Sequence, residues 1–336
     1  MNTLPAVYDV LNFISKLSPR KVWNYTMLAV SYRVSILTRI AMHAGMPFSI
    51  SVEPTTSCNL RCPECPTGLR TLKRPHGNLD LLEFRNILEQ LNSRLAYLML
   101  YFQGEPMLNP QFFDLIALAR KYRIYMATST NAHYLDDERA RKVVESGLDR
   151  LIISIDGTDS ETYQLYRRGG DLGLVTGNIK SVMKWKKKLG SGTPYVILQF
   201  LVFRHNEHQI PQMKLLAKEL GVDKLEFKSA QVYNYEEDKL YIPDIKRYSR
   251  YVRGADGRWK LKKPIRNRCF RMWSGAVITW DGRVVPCCFD KDAEFQLGNI
   301  EEQAFRTIWK GRTYKTFRRK ILSNRSEIDI CRNCTE

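Results

Sequence analysis

The sequence predicts an α/β protein built on a parallel sheet, and three observations carry that expectation. Short β-rich runs alternate with helical patterns between Phe48 and Ser229, several of the helical patterns stop at a glycine, and no apolar run approaches the roughly 20 residues that a bilayer span needs. The β-rich runs are 48–52, 96–102, 124–128, 151–155, 195–202 and 225–227, and the helical patterns cover 79–91, 110–121, 136–146, 174–189 and 208–220. Asn109 and Pro110 read as an N-cap and a first helical residue, and Gly147, Gly190 and Gly221 as stops. Periodicity alone leaves open whether the sheet is an open doubly wound one or a curved, incomplete barrel.

Residues 1–47 read as two amphipathic helices. Leu4, Val7, Leu11, Ile14 and Leu17 recur at helical spacing and stop at Ser18-Pro19, and Val30, Val34, Leu37 and Ala41 repeat the pattern before Gly45. Such stripes are most often core, so they are expected to pack against the main domain, with peripheral docking on an acidic membrane face as the alternative. After Ser229 the alternation ends. A basic segment over 230–268 leads into "GAVITWDGRVVPCC", a hairpin turning at Asp281-Gly282, and then into two short helical stretches before the closing "CRNC".

The chain carries 53 Lys and Arg against 35 Asp and Glu, a formal charge of +18. Eleven of those cations fall between Lys246 and Arg271, with Asp256 the sole acid among them. Such a run is either a solvated basic loop or a surface that attracts anions. Aromatics interleave it (Tyr248, Tyr251, Trp259, Phe270), but no RNA-binding module is visible, so nucleic acid ranks below a small anionic substrate. The first residues lack a basic n-region and include Asp9, which points away from a secretory signal and toward a cytoplasmic protein.

All eight cysteines lie in two places: Cys58, Cys62 and Cys65 near the front, and Cys269, Cys287, Cys288, Cys331 and Cys334 at the back. In a reducing compartment such clusters read as metal ligands rather than disulfides. The front set, "CNLRCPEC", follows the first strand and so lies at the carboxyl ends of the strands, where β/α folds place active sites. Three thiolates hold three corners of a cubic [4Fe–4S] cluster and leave one iron open, whereas structural zinc asks for a fourth ligand.

This arrangement resembles the radical S-adenosylmethionine (radical SAM) superfamily. The resemblance implies an incomplete (β/α)6 TIM-like barrel over 48–229, with N-terminal helices (1–47), a basic connecting segment (230–268) and a small auxiliary-cluster module (269–336). It implies that S-adenosylmethionine chelates the open iron and, on reduction, yields a 5′-deoxyadenosyl radical that takes hydrogen from a substrate. It also implies an electron donor such as reduced flavodoxin or ferredoxin. "FQGEP" resembles the family's Gly-Gly-Glu-Pro, with Gly104 allowing close approach and Glu105 accepting from the ligand's ammonium. "TSTN" would supply Ser129, Thr130 and Asn131; "SIDG" would place Ser154 near the ligand carboxylate, with Arg167 as its charge partner; Gln199 completes the contact set. Two positions depart from the pattern: Gln103 replaces the first glycine, and Glu64 replaces the aromatic that usually precedes the third cysteine.

The second cysteine set, Cys269, Cys287, Cys331 and Cys334, resembles the one-cluster Twitch form of the SPASM extension, and "WDGRVVPCC" and "LGNIEEQAFRTIW" match that extension's usual text. Four thiolates close an auxiliary [4Fe–4S] cluster, with a zinc ribbon as the competing reading. Cys287 is expected to be the ligand and Cys288, on the opposite strand face, the spare. The auxiliary cluster would accept the electron left on a substrate radical, making the reaction an oxidation; relay to the first cluster and a structural role are the alternatives. Residues 1–47 show no winged-helix pattern, which counts against a leader-dependent peptide maturase but leaves a peptide- or protein-modifying enzyme acting on a folded partner as the alternative. The basic segment is expected to line the mouth for an anionic substrate. A non-catalytic iron–sulfur electron carrier, the rival from another class, leaves Gly104, Glu105, Ser154 and Arg167 unexplained.

Overall fold

The computed structural model describes residues 4–236 and 240–335. It opens with α1 (Leu4–Ser15) and α2 (Pro19–Thr38), the second capped by the Ser18 hydroxyl, which accepts from the Lys21 amide. The β/α series follows as β1 (Ser49–Val52), a one-turn α3 (Pro66–Leu69), α4 (Leu81–Leu91), β2 (Tyr97–Met99), α5 (Phe112–Arg120), β3 (Tyr125–Thr130), α6 (Asp137–Glu145), β4 (Arg150–Ser154), α7 (Ser160–Tyr166), α8 (Leu172–Lys188), β5 (Tyr195–Val202), α9 (Ile210–Leu220) and β6 (Lys224–Ser229). Beyond them come β7 (Tyr251–Arg253), β8 (Trp259–Leu261), α10 (Arg271–Ser274), β9 (Gly275–Ile278), β10 (Arg283–Val285), β11 (Gly298–Asn299), α11 (Phe305–Lys310) and α12 (Arg312–Asn324).

Strands β1 to β6 lie side by side in sequence order, each neighbouring pair parallel. Alternate residues such as Ile50, Leu98, Met126, Leu151 and Leu198 are fully buried in the core shared with the helices. Their neighbours in sequence, Ser49, Ser51, Tyr97 and Met99 among them, line the concave side of a partial barrel. The C-terminal module continues the same sheet. β9 pairs parallel with β1 from Ser49↔Gly275 to Val52↔Ile278, and β10 and β11 extend the sheet to nine strands. Without β9, β1 would present an open edge of unpaired backbone groups.

Local chemistry accounts for several shifts from the expected boundaries. Arg39 takes a left-handed conformation (φ 58°) and ends α2, so Ala41 lies outside the helix. Asn109 does not start α5: its side chain accepts from the Gln111 amide (2.8 Å) and donates to the Pro54 and Leu79 carbonyls (2.7 and 2.9 Å), tying loops together before the helix begins. Helix α7 has no apolar repeat long enough to announce itself, and is set by Asp159, which accepts from the Thr162 amide. The basic segment holds the β7–β8 hairpin, which the sequence reading missed.

The N-terminal helices reverse their expected orientation. They do pack on the barrel, but most of their buried side chains are polar, with Leu28, Phe13 and Tyr32 as the apolar part of the contact. Asp9, 5% exposed, pairs with Arg150 and accepts from the Tyr125 hydroxyl; Asn12 donates to Asp149 (2.8 Å); Lys21 donates to the Arg123 carbonyl (2.8 Å); Asn24 exchanges two 2.8 Å hydrogen bonds with the Met46 backbone. Tyr97, Tyr125, Arg150 and Tyr195 are the first residues of β2 to β5, and α1 closes the amino end of the barrel over them, with Phe13 set edge-on to Tyr125 at 5.4 Å. The stripe of Leu4, Val7, Leu11 and Ile14 is left 52–69% exposed. No helix of the described residues is long and apolar enough to cross a membrane.

Candidate active site

The site forms where the carboxyl ends of β1 to β5 converge. Cys58, Cys62 and Cys65 gather with Leu60, Tyr166, Phe203 and Ala230 in a small apolar cluster apart from the main core. Cys65 caps α3, where the Leu69 amide donates to its carbonyl (2.8 Å). Burial pushes the Cys58 thiol up to about 11 and raises Cys62 as well, so these thiols stay protonated until iron displaces the protons. A side-chain polar atom stands 3.9 Å from each sulfur: Asn131 Nδ2 at Cys58, Arg167 Nη1 at Cys62 and Gln103 Oε1 at Cys65. Among the described residues no three Cys, His, Asp or Glu side chains close tightly enough around one point to hold a single ion. A cubane carries its thiolates outward at separate corners and asks for a wider spread.

The loop after β2 is held against the cysteine loop by Gly104. Its φ of +74° and the 2.3 Å that would separate a Cβ from the Thr55 carbonyl oxygen leave room for no other residue. The next amide, of Glu105, donates to the Ser57 carbonyl at 2.7 Å. The Glu105 carboxylate is buried and accepts from the Thr130 hydroxyl (2.6 Å) and the Asn131 amide (2.7 Å), while burial raises its pKa. Ser154 and Gln199 are register partners on β4 and β5, and Ser129 lies on β3 opposite Ile152. Arg167 ends α7, ion-paired to Asp156 at 2.5 Å and set over the Tyr166 ring at 5.5 Å. Burial works against its charge, but Asp156 and the Cys62 sulfur outweigh burial and lift its pKa well above the usual value. The predicted contacts are thus brought to one end of the barrel. Asp156 and the Gln103 contact were missed, although both stand inside the quoted "SIDG" and "FQGEP". Glu64, in place of the usual aromatic, accepts from the Tyr233 amide (2.8 Å).

Cys269, Cys287, Cys331 and Cys334 line one small cavity of about 20 Å³ with Phe317, Ile321 and Arg325. Cys288 does not line it. Burial raises the thiols of Cys269 and Cys287, and that of Cys331 to about 11. Arg325, 1% exposed, places Nη2 2.9 Å from Cys334 Sγ and donates to the Arg268 carbonyl, so a buried cation stands among Cys269, Cys331 and Cys334. No sequence motif announced it.

A larger cavity of about 460 Å³ occupies the barrel's concave side. Phe102, adjoining the Gly104 loop, lies at one part of its wall; Cys287 and Cys288 lie at another, and Phe13 and Tyr25 contribute from α1 and α2. The basic segment does not line it. Arg247, Arg250, Lys262 and Lys263 surround a separate cleft of about 320 Å³ with Lys228 and Ser229 at the end of β6, and among the described residues Arg271 is the cation on the lumen wall.

Comparison with known proteins fixes the family. Residues 52–216 match the model of the radical SAM superfamily, and residues 269–335 that of the SPASM iron–sulfur cluster-binding domain. The PqqA peptide cyclase of Gluconobacter oxydans is 31% identical over 284 residues, which span 78% of this chain and 76% of that protein. The chain belongs to the radical SAM superfamily. It is also similar to the tungsten-containing aldehyde ferredoxin oxidoreductase cofactor-modifying protein of Pyrococcus furiosus, 26% identical over 293 residues, or 80% of this chain and 82% of that one. The crystal structure of BtrN in complex with AdoMet and 2-DOIA has the same fold, with a TM-score of 0.54 at 19% identity over 88% of this chain and 95% of that chain. This radical SAM protein therefore uses S-adenosylmethionine at a [4Fe–4S] cluster and carries an auxiliary iron–sulfur cluster in its SPASM domain. The donor sets fit: three thiols with polar neighbours at the front, four thiols around one cavity at the back.

Proposed function

We propose that this radical SAM enzyme carries out a net two-electron oxidation of a substrate held in the barrel lumen. Cys58, Cys62 and Cys65 would hold the front cluster and Cys269, Cys287, Cys331 and Cys334 the auxiliary one. Bound there, the front cluster and S-adenosylmethionine supply a carbon radical able to take a hydrogen atom from an unactivated position. Gly104 lets the loop after β2 approach the ligand, Glu105 and Asn131 present acceptors to its ammonium end, and Ser154 with Arg167 receives its carboxylate. Asp156 keeps Arg167 aimed at the site. Held by Cys269, Cys287, Cys331 and Cys334, the auxiliary cluster would supply a one-electron acceptor, so that loss of a hydrogen atom, an electron and a proton to solvent would complete the two-electron oxidation. The observation that carries this reading is the single cavity whose wall includes both the neighbour of the Gly104 loop and Cys287. Its walls are mostly aromatic and apolar, with Arg271 for an anionic group, which favours a substrate with an apolar body and one acidic function. Reduced flavodoxin or ferredoxin is the expected donor.

Two variants separate the roles. Anaerobically reduced protein with S-adenosylmethionine should release 5′-deoxyadenosine; Cys62→Ala should abolish release, while Cys331→Ala should retain cleavage and lose substrate oxidation. No release from the wild-type protein would leave an electron carrier. The similarity to a peptide cyclase supports a second reading, modification of a peptide. Incubation with deuterated cell extract decides between them, by whether the deuterium in 5′-deoxyadenosine comes from a small molecule or a polypeptide.

A further inference from the structure

The N-terminal helices are built inside out. The faces of α1 and α2 turned to the barrel bury five polar residues, Asp9, Lys21, Asn24, Ser31 and Ser35, against one aliphatic, Leu28, with Phe13 and Tyr32 half-buried beside them. Of the 23 large apolar side chains exposed among the described residues, 13 lie between Leu4 and Met42. On α1 these include Leu4, Val7, Leu11 and Ile14, one stripe at helical spacing; on α2, Val22, Val30 and Leu37 share a stripe with Arg33, and Trp23 beside them is 66% exposed. A core-packing helix puts its apolar stripe inward and tolerates scattered apolar residues outside. This exposure, repeated on two successive helices, leaves an apolar surface around Val7, Leu11, Trp23 and Val30 that no other described residue covers.

Charge identifies what covers it. The only acid between Leu4 and Pro47 is Asp9, which is buried and paired, so this surface carries no negative charge. At its edge Trp23 and Met27 line a cleft of about 240 Å³ together with Arg20, Arg94, Arg306 and Lys310. No acidic side chain lines the cleft, and none of the four cations forms an ion pair among the described residues. Apolar side chains beside a cationic cleft match the boundary between the acyl chains and phosphates of an anionic bilayer. We infer that α1 and α2 dock this protein peripherally on a membrane of anionic phospholipid, with a lipid phosphate in the Arg20–Arg94–Arg306–Lys310 cleft. The same two helices contribute Phe13 and Tyr25 to the lumen wall, so the docked surface and the substrate cavity share their supporting elements.

The test is sedimentation of the full-length holoprotein with vesicles of phosphatidylcholine, with and without phosphatidylglycerol. It reads binding without turnover, so its outcome is independent of whether the oxidation proposed above is right. The wild-type protein should bind the phosphatidylglycerol vesicles and be released by salt. V7S/L11S/W23S should lose most of that binding, and R306Q/K310Q should weaken it by about fivefold per charge removed. All substituted side chains are exposed, and circular dichroism checks that the variants fold. Three results would overturn the inference: no vesicle binding, binding unchanged in both variants, or an apolar surface buried in a dimer that V7S/L11S/W23S converts to monomer without altering vesicle affinity. Occupation of the cleft by inorganic phosphate without vesicle binding would also overturn it.

Discussion

Gly104 and Glu83 show how single positions set site and stability. At Gly104 the backbone of the cysteine loop occupies the space a Cβ would need. Gly104→Ala should therefore push the loop off its position, destabilise the fold by about 1–3 kcal/mol and weaken S-adenosylmethionine binding, as read by thermal denaturation and calorimetric titration. Glu83 sits against the Asp281-Gly282 turn with Oε1 buried and without a hydrogen-bond partner. Burial, then Glu301, Asp80 and Asp281, raise its pKa from 4.5 to about 7. A carboxyl whose folded pKa is raised binds more protons folded than unfolded, so its contribution is present below pH 4.5 and is lost as pH rises toward 7. Glu83→Gln should raise the melting temperature above pH 7 and flatten its fall between pH 4.5 and 7. The cysteines and Gly104 were readable in sequence because their chemistry depends on residue type and local spacing. Arg325 and Glu83 were not, because their surroundings come from segments far away in the chain.

Elements are held together here by buried ion pairs as well as apolar packing. Glu53, at the end of β1, and Arg74, from the loop behind the cysteines, form a buried bidentate pair; Arg74 also donates to the Lys291 carbonyl (2.7 Å), and Glu53 accepts from the Trp280 amide (3.3 Å). The pair joins the cysteine loop to the C-terminal module. Arg74→Met strands a buried carboxylate and should cost about 3–5 kcal/mol in denaturant unfolding, with much of the loss recovered when Glu53→Gln is added. The orientation of α1 and α2 was illegible for a related reason. A helical stripe fixes which residues share a face but not which face turns inward, and here Asp9, Asn12 and Lys21 decided it through partners on β4 and the loops near β3. The β9–β10 hairpin was legible, since its turn depends on Gly282 at φ +75° between two β-rich arms.

At the scale of the molecule, the parallel barrel followed from alternation, but its continuation did not. β9 is four residues long and lies more than 200 residues after β1, and nothing local marks it as β1's neighbour. The auxiliary-cluster module is thus part of the barrel sheet, and deletion of residues 269–336 should expose the β1 edge and give aggregated protein rather than a free barrel, as read by size-exclusion chromatography. This continuity also brings Cys287 to the lumen wall that Phe102, beside the Gly104 loop, helps to line. Binding and cleavage of S-adenosylmethionine require a front cluster with one iron left open by the protein. The most direct measurement is electron–nuclear double resonance on the reduced Cys331→Ala protein with S-adenosylmethionine labelled with ¹⁵N at its amino group. A nitrogen coupling to the cluster, lost in the additional Cys62→Ala variant, is the predicted result; a reduced cluster whose spectrum is unchanged by the labelled ligand would contradict it.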